Sequence, residues 1–182
     1  TRVSILHVAD DDLLINLNAR SIAAPAALAA ELAGIVKAAA EAKGVSADSS
    51  LANVQASESA RRIAASLASG ENVAVFLGNL AQQHPQASTL HALAQQLAGI
   101  IGARLGFLGE AANSVGGYVA GATPGVNANE GGMNAAQMLS DPRKAYVVLH
   151  AEPELDCANP QQAMAALKSA DLVVALSPFR TR

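Results

Sequence analysis

The sequence predicts an α/β fold: a Rossmann-like parallel sheet flanked by helices, preceded by an N-terminal helical layer. Two observations predict it. Four short, mainly apolar runs recur in the later part of the chain, at residues 73–77, 103–108, 145–149 and 171–176, the first of them continuously apolar. Such runs read as strands buried on both faces, as in parallel sheets. Between them lie helical patterns or a helix-containing loop, the alternation of right-handed βαβ crossovers. On this reading residues 1–71 form a strand and helical layer, and residues 72–182 form the Rossmann-like region of one compact piece.

The elements follow from local chemistry. Residues 3–8 are apolar apart from Ser4 and His7 and read as an edge strand, and residues 10–21 as a mixed connector. A helix is predicted over 25–43, with Leu28, Leu32, Ile35 and Ala39 on one face, Pro25 in its first turn and Gly44 as its stop. Residues 45–50 are polar and turn-like. A second helix is expected over 58–68, capped by Ser57, with Ile63, Ala64 and Leu67 inward and Gly70 ending it. A third starts at Pro85 or Ser88, places Leu90, Leu93, Leu97 and Ile101 on one face and closes at Gly102. Residues 109–138 form a long Gly/Asn-rich loop with a helical turn around 134–139, broken by Asp141-Pro142. Loops of this length are uncommon in compact domains and usually functional or disordered. Asn159-Pro160-Gln161-Gln162 opens the last helix, with Asn as cap, Pro at the first position and Gln placed for a capping box.

Composition narrows the function. Hydrophobic residues make up 51% of the 182, yet aromatics only 3%, so the core is built from Ala, Leu, Val and Ile. Charged residues are 15%, below the usual quarter, which suggests an exterior partly covered by other protein. A net charge of -3 and scattered basic residues argue against nucleic-acid binding. Arg61-Arg62 reads as a solvated helix face. No apolar run approaches the roughly 20 residues that span a bilayer, and no signal-peptide pattern opens the chain. Thr1 without a preceding Met, and Arg182 straight after Ser177-Pro178-Phe179, read as the ends of a piece of a longer polypeptide. The single Cys157 excludes an internal disulfide or a four-cysteine cluster within these residues.

Ligands of open α/β sheets sit at the carboxyl ends of the strands. Those ends supply Gly78-Asn79, residues 108–113, residues 150–156 and Ser177-Pro178. Gly99, Gly102, Gly106 and Gly109 do not form G-x-G-x-x-G after a strand, no G-K-[ST] follows them, and G-x-S-x-G is absent. Glu152, Glu154 and Asp156 could bind a hard cation or work as an acid/base pair; a Pro-containing turn with solvated acids is the simpler reading. His7, His84, His91 and His150 lack zinc-ligand spacing.

The order of short segments carries a resemblance. Val75-Phe76-Leu77-Gly78, His84-Pro85, Gly102-Ala103-Arg104-Leu105-Gly106, Ala112-Asn113-Ser114-Val115-Gly116, Gly132-Met133-Asn134-Ala135, Met138-Leu139, Ala145-Tyr146 and Glu152-Pro153-Glu154-Leu155-Asp156 form that order. Together they resemble the C-terminal region of the large iron–sulfur subunit of NADH-quinone oxidoreductase, the bacterial respiratory complex I. In that family the C-terminal part of the subunit has the molybdopterin oxidoreductase fold. The resemblance implies a non-catalytic scaffold in the peripheral arm, on the cytoplasmic side of the inner membrane and without direct membrane insertion. Its partners would be the remainder of its own subunit and other peripheral-arm subunits. No cofactor is expected in these residues, the iron–sulfur clusters belonging to an N-terminal part of the parent. The alternative is a cofactor-cradling segment of a catalytic molybdopterin oxidoreductase. Asn79, Asn113, Ser114, Gly116, Asn127 and Asn134 would then line the pterin pocket, and in the scaffold such a site would be vestigial.

Overall fold

The computed structural model of the protein describes residues 1–109, 111, 113–121, 124 and 132–179. The chain divides into two compact units, Thr1–Glu110 and Ala111–Arg182. The sequence-derived boundary at 71/72 falls inside the first. The α/β expectation holds at the level of mixed helices and short parallel sheets: among the described residues the strands form three parallel pairs.

The first unit opens with β1 (Val3–His7), which pairs in parallel with β2 (Leu17–Ile22). The register slips between Val3 and Ser4. Residues 10–21 are therefore more than a connector. Leu17, Ala19 and Ser21 alternate with Asn18 and Arg20, and Ala19 and Ser21 are buried while Asn18 and Arg20 are less so. This period of two is a strand signal that the three aspartates before it obscure. Asp10 pairs with Arg20, and the Leu14 N–H donates to Asp12 Oδ1 at 3.0 Å, holding the connecting loop.

The helix expected from Pro25 starts with a 3-10 turn, Pro25–Ala27, and continues as α1 (Leu28–Lys43). Gly44 ends it in the left-handed conformation, φ 67°. The four predicted core positions are buried, and so are Ala33, Val36, Ala38 and Ala40. The apolar surface is wider than one stripe because α1 packs against both α2 (Glu58–Ala68) and α4 (Ala87–Ile101). Ser57 caps α2 as expected, accepting the Ala60 N–H at 3.0 Å. In α4, Leu90, Leu93, Leu97 and Ile101 are all buried, and Gly102 closes the helix at φ 69°.

β3 (Ala74–Leu77) and β4 (Arg104–Phe107) flank α4 in sequence and pair in parallel, Ala74 against Arg104 through Leu77 against Phe107. A short helix, α3 (Asn79–Gln82), follows β3. The expectation that β3 is buried on both faces is not met within this unit. Val75 packs on the core and Leu77 is buried, but Phe76 is 59% exposed. A two-stranded pair covered by helices on one face leaves its alternate side chains bare.

The second unit contains α5 (Ser114–Val119), α6 (Ala135–Ser140), β5 (Ala145–Leu149), α7 (Pro153–Asp156), α8 (Pro160–Lys168) and β6 (Leu172–Leu176). β5 and β6 pair in parallel from Ala145 against Leu172 to Leu149 against Leu176. α8 packs on α6 and α7, burying Ala163 and Ala166. The Tyr146 hydroxyl accepts the Arg143 N–H and donates to the Met138 carbonyl, both at 2.8 Å, tying the end of α6 to the start of β5. All of β6 is exposed, with Leu176 at 53%. Among the described residues no helix is long and apolar enough to cross a membrane.

Ile35, 2% exposed, should be the sensitive point of the first unit. Ile35→Ala is expected to lower unfolding free energy by about 2–5 kcal/mol in urea denaturation. Leu155→Ala, at a site 74% exposed, should change it by no more than about 0.5 kcal/mol. Equal effects would contradict this placement of the core.

Candidate functional site

In the first unit the candidate position is the carboxyl end of the β3–β4 pair. Gly78 caps α3 and Asn79 opens it, with its side chain exposed. The principal polar contact here comes from Gln82, which no sequence motif singles out. Gln82 Nε2 donates to the carbonyls of Leu77 at 3.0 Å and Leu108 at 3.1 Å, bridging the ends of both strands. Two carbonyls that a ligand could have used are thereby satisfied within the fold. His84 is similarly engaged: Nδ1 accepts the Gln86 N–H at 3.0 Å, which leaves the proton on Nε2 to donate to the Pro25 carbonyl at 3.0 Å. His91 makes an edge-to-face contact with Phe107, ring centroids 5.3 Å apart.

The other candidates belong to the second unit. Asn113 precedes α5, which Ser114 opens, so the start of the Gly/Asn loop carries a helix that the sequence pattern does not announce. Gly116 lies under the Asn113 side chain: a Cβ at Gly116 would come 2.6 Å from Asn113 Cγ. Those atoms are the end of an exposed side chain that can turn aside, so the contact alone does not require glycine at this position. Asn134 caps α6 in a capping box: its Oδ1 accepts the Gln137 N–H at 2.9 Å, and Gln137 Oε1 accepts the Asn134 N–H at 2.9 Å. Asn127 lies outside the described residues.

At the end of β5 the acids form a local turn. His150 takes φ 48°, and its N–H donates to the Leu176 carbonyl at 2.8 Å, joining the ends of β5 and β6. Asp156 Oδ2 accepts the Glu152 N–H at 2.6 Å across α7. This carboxylate is used as an end cap, in keeping with the simpler reading of the acidic run. Asn159 accepts the Gln162 N–H at 3.1 Å as the cap of α8. Among the described residues, no three His, Cys, Asp or Glu side chains are grouped to hold a metal ion. An open hollow of about 450 Å³ runs along α8 and is lined by Pro160, Gln161, Met164, Ala165 and Lys168, mostly hydrocarbon.

The densest polar cluster has no counterpart among the sequence expectations. Glu31 Oε1 on α1 accepts the hydroxyls of Ser21 at 2.6 Å and Ser57 at 2.5 Å, and Ser59 Oγ lies 2.9 Å from Ser57 Oγ. It ties β2, α1 and the N-terminus of α2 together and satisfies Ser21, which is 3% exposed. The sequence signals only Ser57, as a cap; nothing in the spacing links it to Ser21 or Glu31.

Comparison with family models, curated proteins and solved structures finds no match for the chain.

Asn134→Ala should lower stability by roughly 0.5–2 kcal/mol in a thermal melt, the usual cost of losing a cap; no loss would contradict the structural role. At Asp48, hydrogen bonds from the Ser50 side chain and backbone N–H hold the carboxyl below its ordinary value. A depressed carboxyl pKa contributes stability above the unfolded value, lost as pH falls through the folded one. Asp48 should therefore titrate by NMR below an unpaired aspartate, and Ser50→Ala should move it back up.

Proposed function

We propose that this chain is part of the large iron–sulfur subunit of a bacterial NADH-quinone oxidoreductase, a non-catalytic scaffold in the peripheral arm of complex I. The observation that carries the reading is the ordered set of segments from Val73 to Phe179 that resembles that subunit. Many of these residues have backbone work to do here. Gly102 is a left-handed helix stop, Asn134 is a capping-box residue, and Tyr146 ties α6 to β5. Residues with such roles in the backbone need no cofactor to explain them, which supports a scaffold over a pterin cradle.

On this reading the β3–α4–β4 and β5–α7–α8–β6 segments contribute to a Rossmann-like sheet of the molybdopterin oxidoreductase type. Their bare apolar side chains, Phe76, Phe107, Val147 and Leu176, would be covered in the assembled subunit. One cysteine cannot supply the ligands of an iron–sulfur cluster. No electron-transfer step is therefore assigned to these residues, and the clusters would be held elsewhere in the parent. The partners would be the rest of that subunit and its neighbours in the arm, at the cytoplasmic face of the inner membrane.

The test is to purify the full-length parent protein, reduce it with NADH in its native complex and record electron paramagnetic resonance spectra with metal analysis. Signals from several iron–sulfur centres and no stoichiometric molybdenum are expected. Molybdenum with bound pterin, lost on Asn113→Ala without a change in melting temperature, would replace the scaffold by a catalytic molybdopterin oxidoreductase.

A further inference from the structure

We propose that an open cleft between the β1–β2 pair and α2 binds a phosphate-class oxyanion between the guanidinium groups of Arg2 and Arg62. The cleft lies wholly in the first unit, has a volume of about 390 Å³ and is lined by Arg2, Asn18, Arg62, Ser66 and Ser69, with Ala65. Arg2 immediately precedes β1 and Asn18 lies in β2. Arg62, Ser66 and Ser69 follow one another at four- and three-residue steps along α2 and its C-cap, which places them on one side of the helix.

Each guanidinium is anchored by a neutral acceptor. Arg2 Nη2 donates to Ser69 Oγ at 3.1 Å, and Arg62 Nη2 donates to the Asn18 carbonyl at 3.4 Å. Ser69 Oγ in turn donates to the Ser66 carbonyl at 3.1 Å, which leaves its oxygen free to receive Arg2. These contacts orient both forks without neutralising them. Arg20 and Arg143, by contrast, are paired with Asp10 and Asp141. No carboxylate lines the cleft, and among the described residues neither Arg2 nor Arg62 forms an ion pair. The C-terminal end of α2 favours a cation beside Ser69, which accounts for Arg2 alone. Arg62, near the middle of the helix, gains little from that dipole.

Two like charges lining one cleft repel, and an anion between them converts the repulsion into attraction. Each guanidinium keeps most of its N–H donors after its single anchoring bond, and the Ser66 hydroxyl adds another. Donors arriving from two separate elements suit a tetrahedral phosphate group better than a planar carboxylate, which one Arg fork satisfies. Because both arginines are exposed, binding should be weak and sensitive to salt.

The test is a titration of the ¹⁵N-labelled chain with inorganic phosphate at constant ionic strength, followed by amide shifts. Saturable shifts at Arg2, Asn18, Ser66 and Ser69 are expected, weakening as sodium chloride is raised. Arg62→Ala should weaken the apparent affinity on the order of tenfold, the loss of a charge-assisted pair, and Arg62→Lys should lose less. Arg62→Gln serves in its place if the alanine variant fails to fold, which shift changes throughout the unit would reveal. Sedimentation with phosphatidylcholine vesicles, with and without phosphatidic acid, separates the sources. Association with the acidic vesicles that Arg62→Ala abolishes assigns the phosphate to a lipid headgroup, and phosphate shifts without vesicle binding assign a soluble ligand. Absence of both, or shifts unchanged by the Arg62 and Arg2→Ala substitutions, overturns the site.

Discussion

The first unit depends on the close packing of α1. This helix is rich in alanine, and its small side chains let α2 and α4 approach it on two sides. At Gly34 the approach is close: a Cβ there would lie 3.3 Å from Ala56 Cα in the segment leading into α2. Lys37, three residues on, donates to the carbonyls of Ala52 and Val54 at 2.8 and 2.7 Å and holds the same segment down. Glu31, three residues before, gathers Ser21 and Ser57. One stretch of α1 thus fixes β2, the connector and the start of α2. With few aromatic anchors, fit between small side chains has to supply the order that large ones usually give.

The second unit is organised differently. Its fixed points are helix ends and strand ends: Asn134 with Gln137, Asn159 with Gln162, Asp156 with Glu152, Tyr146 across to Met138, and His150 to Leu176. Tyr146 holds the start of β5, whereas the bonds at His150 and Asp156 use polar groups at the carboxyl ends of β5 and β6. Gln82 does the same for β3 and β4 in the first unit. Chemistry-bearing side chains at strand ends are being used to hold the backbone, while apolar strand side chains remain bare. That combination is consistent with the scaffold role proposed above.

Much of this is legible in the sequence because it is local. The Ser57 cap, Gly44 and Gly102 as helix stops, Pro160 after Asn159, and the buried set Leu90, Leu93, Leu97 and Ile101 each follow from a few neighbouring residues. β2 escapes a sequence reading because its alternation is brief and follows an acidic run. α5 escapes it because Gly116 and Gly117 argue against a helix. The Glu31–Ser21–Ser57 cluster and the Gln82 bridge join residues far apart in the chain, and no spacing rule reaches them. Of the candidate residues, Asn79 falls just after β3 as its spacing suggests, whereas the partners that occupy the polar groups at the strand ends are not readable.

Bare apolar strand faces that belong to a larger assembly should become covered in it. Hydrogen–deuterium exchange tests this most directly, comparing peptides from the isolated chain with the same peptides from the intact parent complex. Marked slowing in the complex is predicted for residues 104–108, 145–149 and 172–176, with α1 slow in both. Identical exchange of those three segments in the two states would contradict a scaffold role.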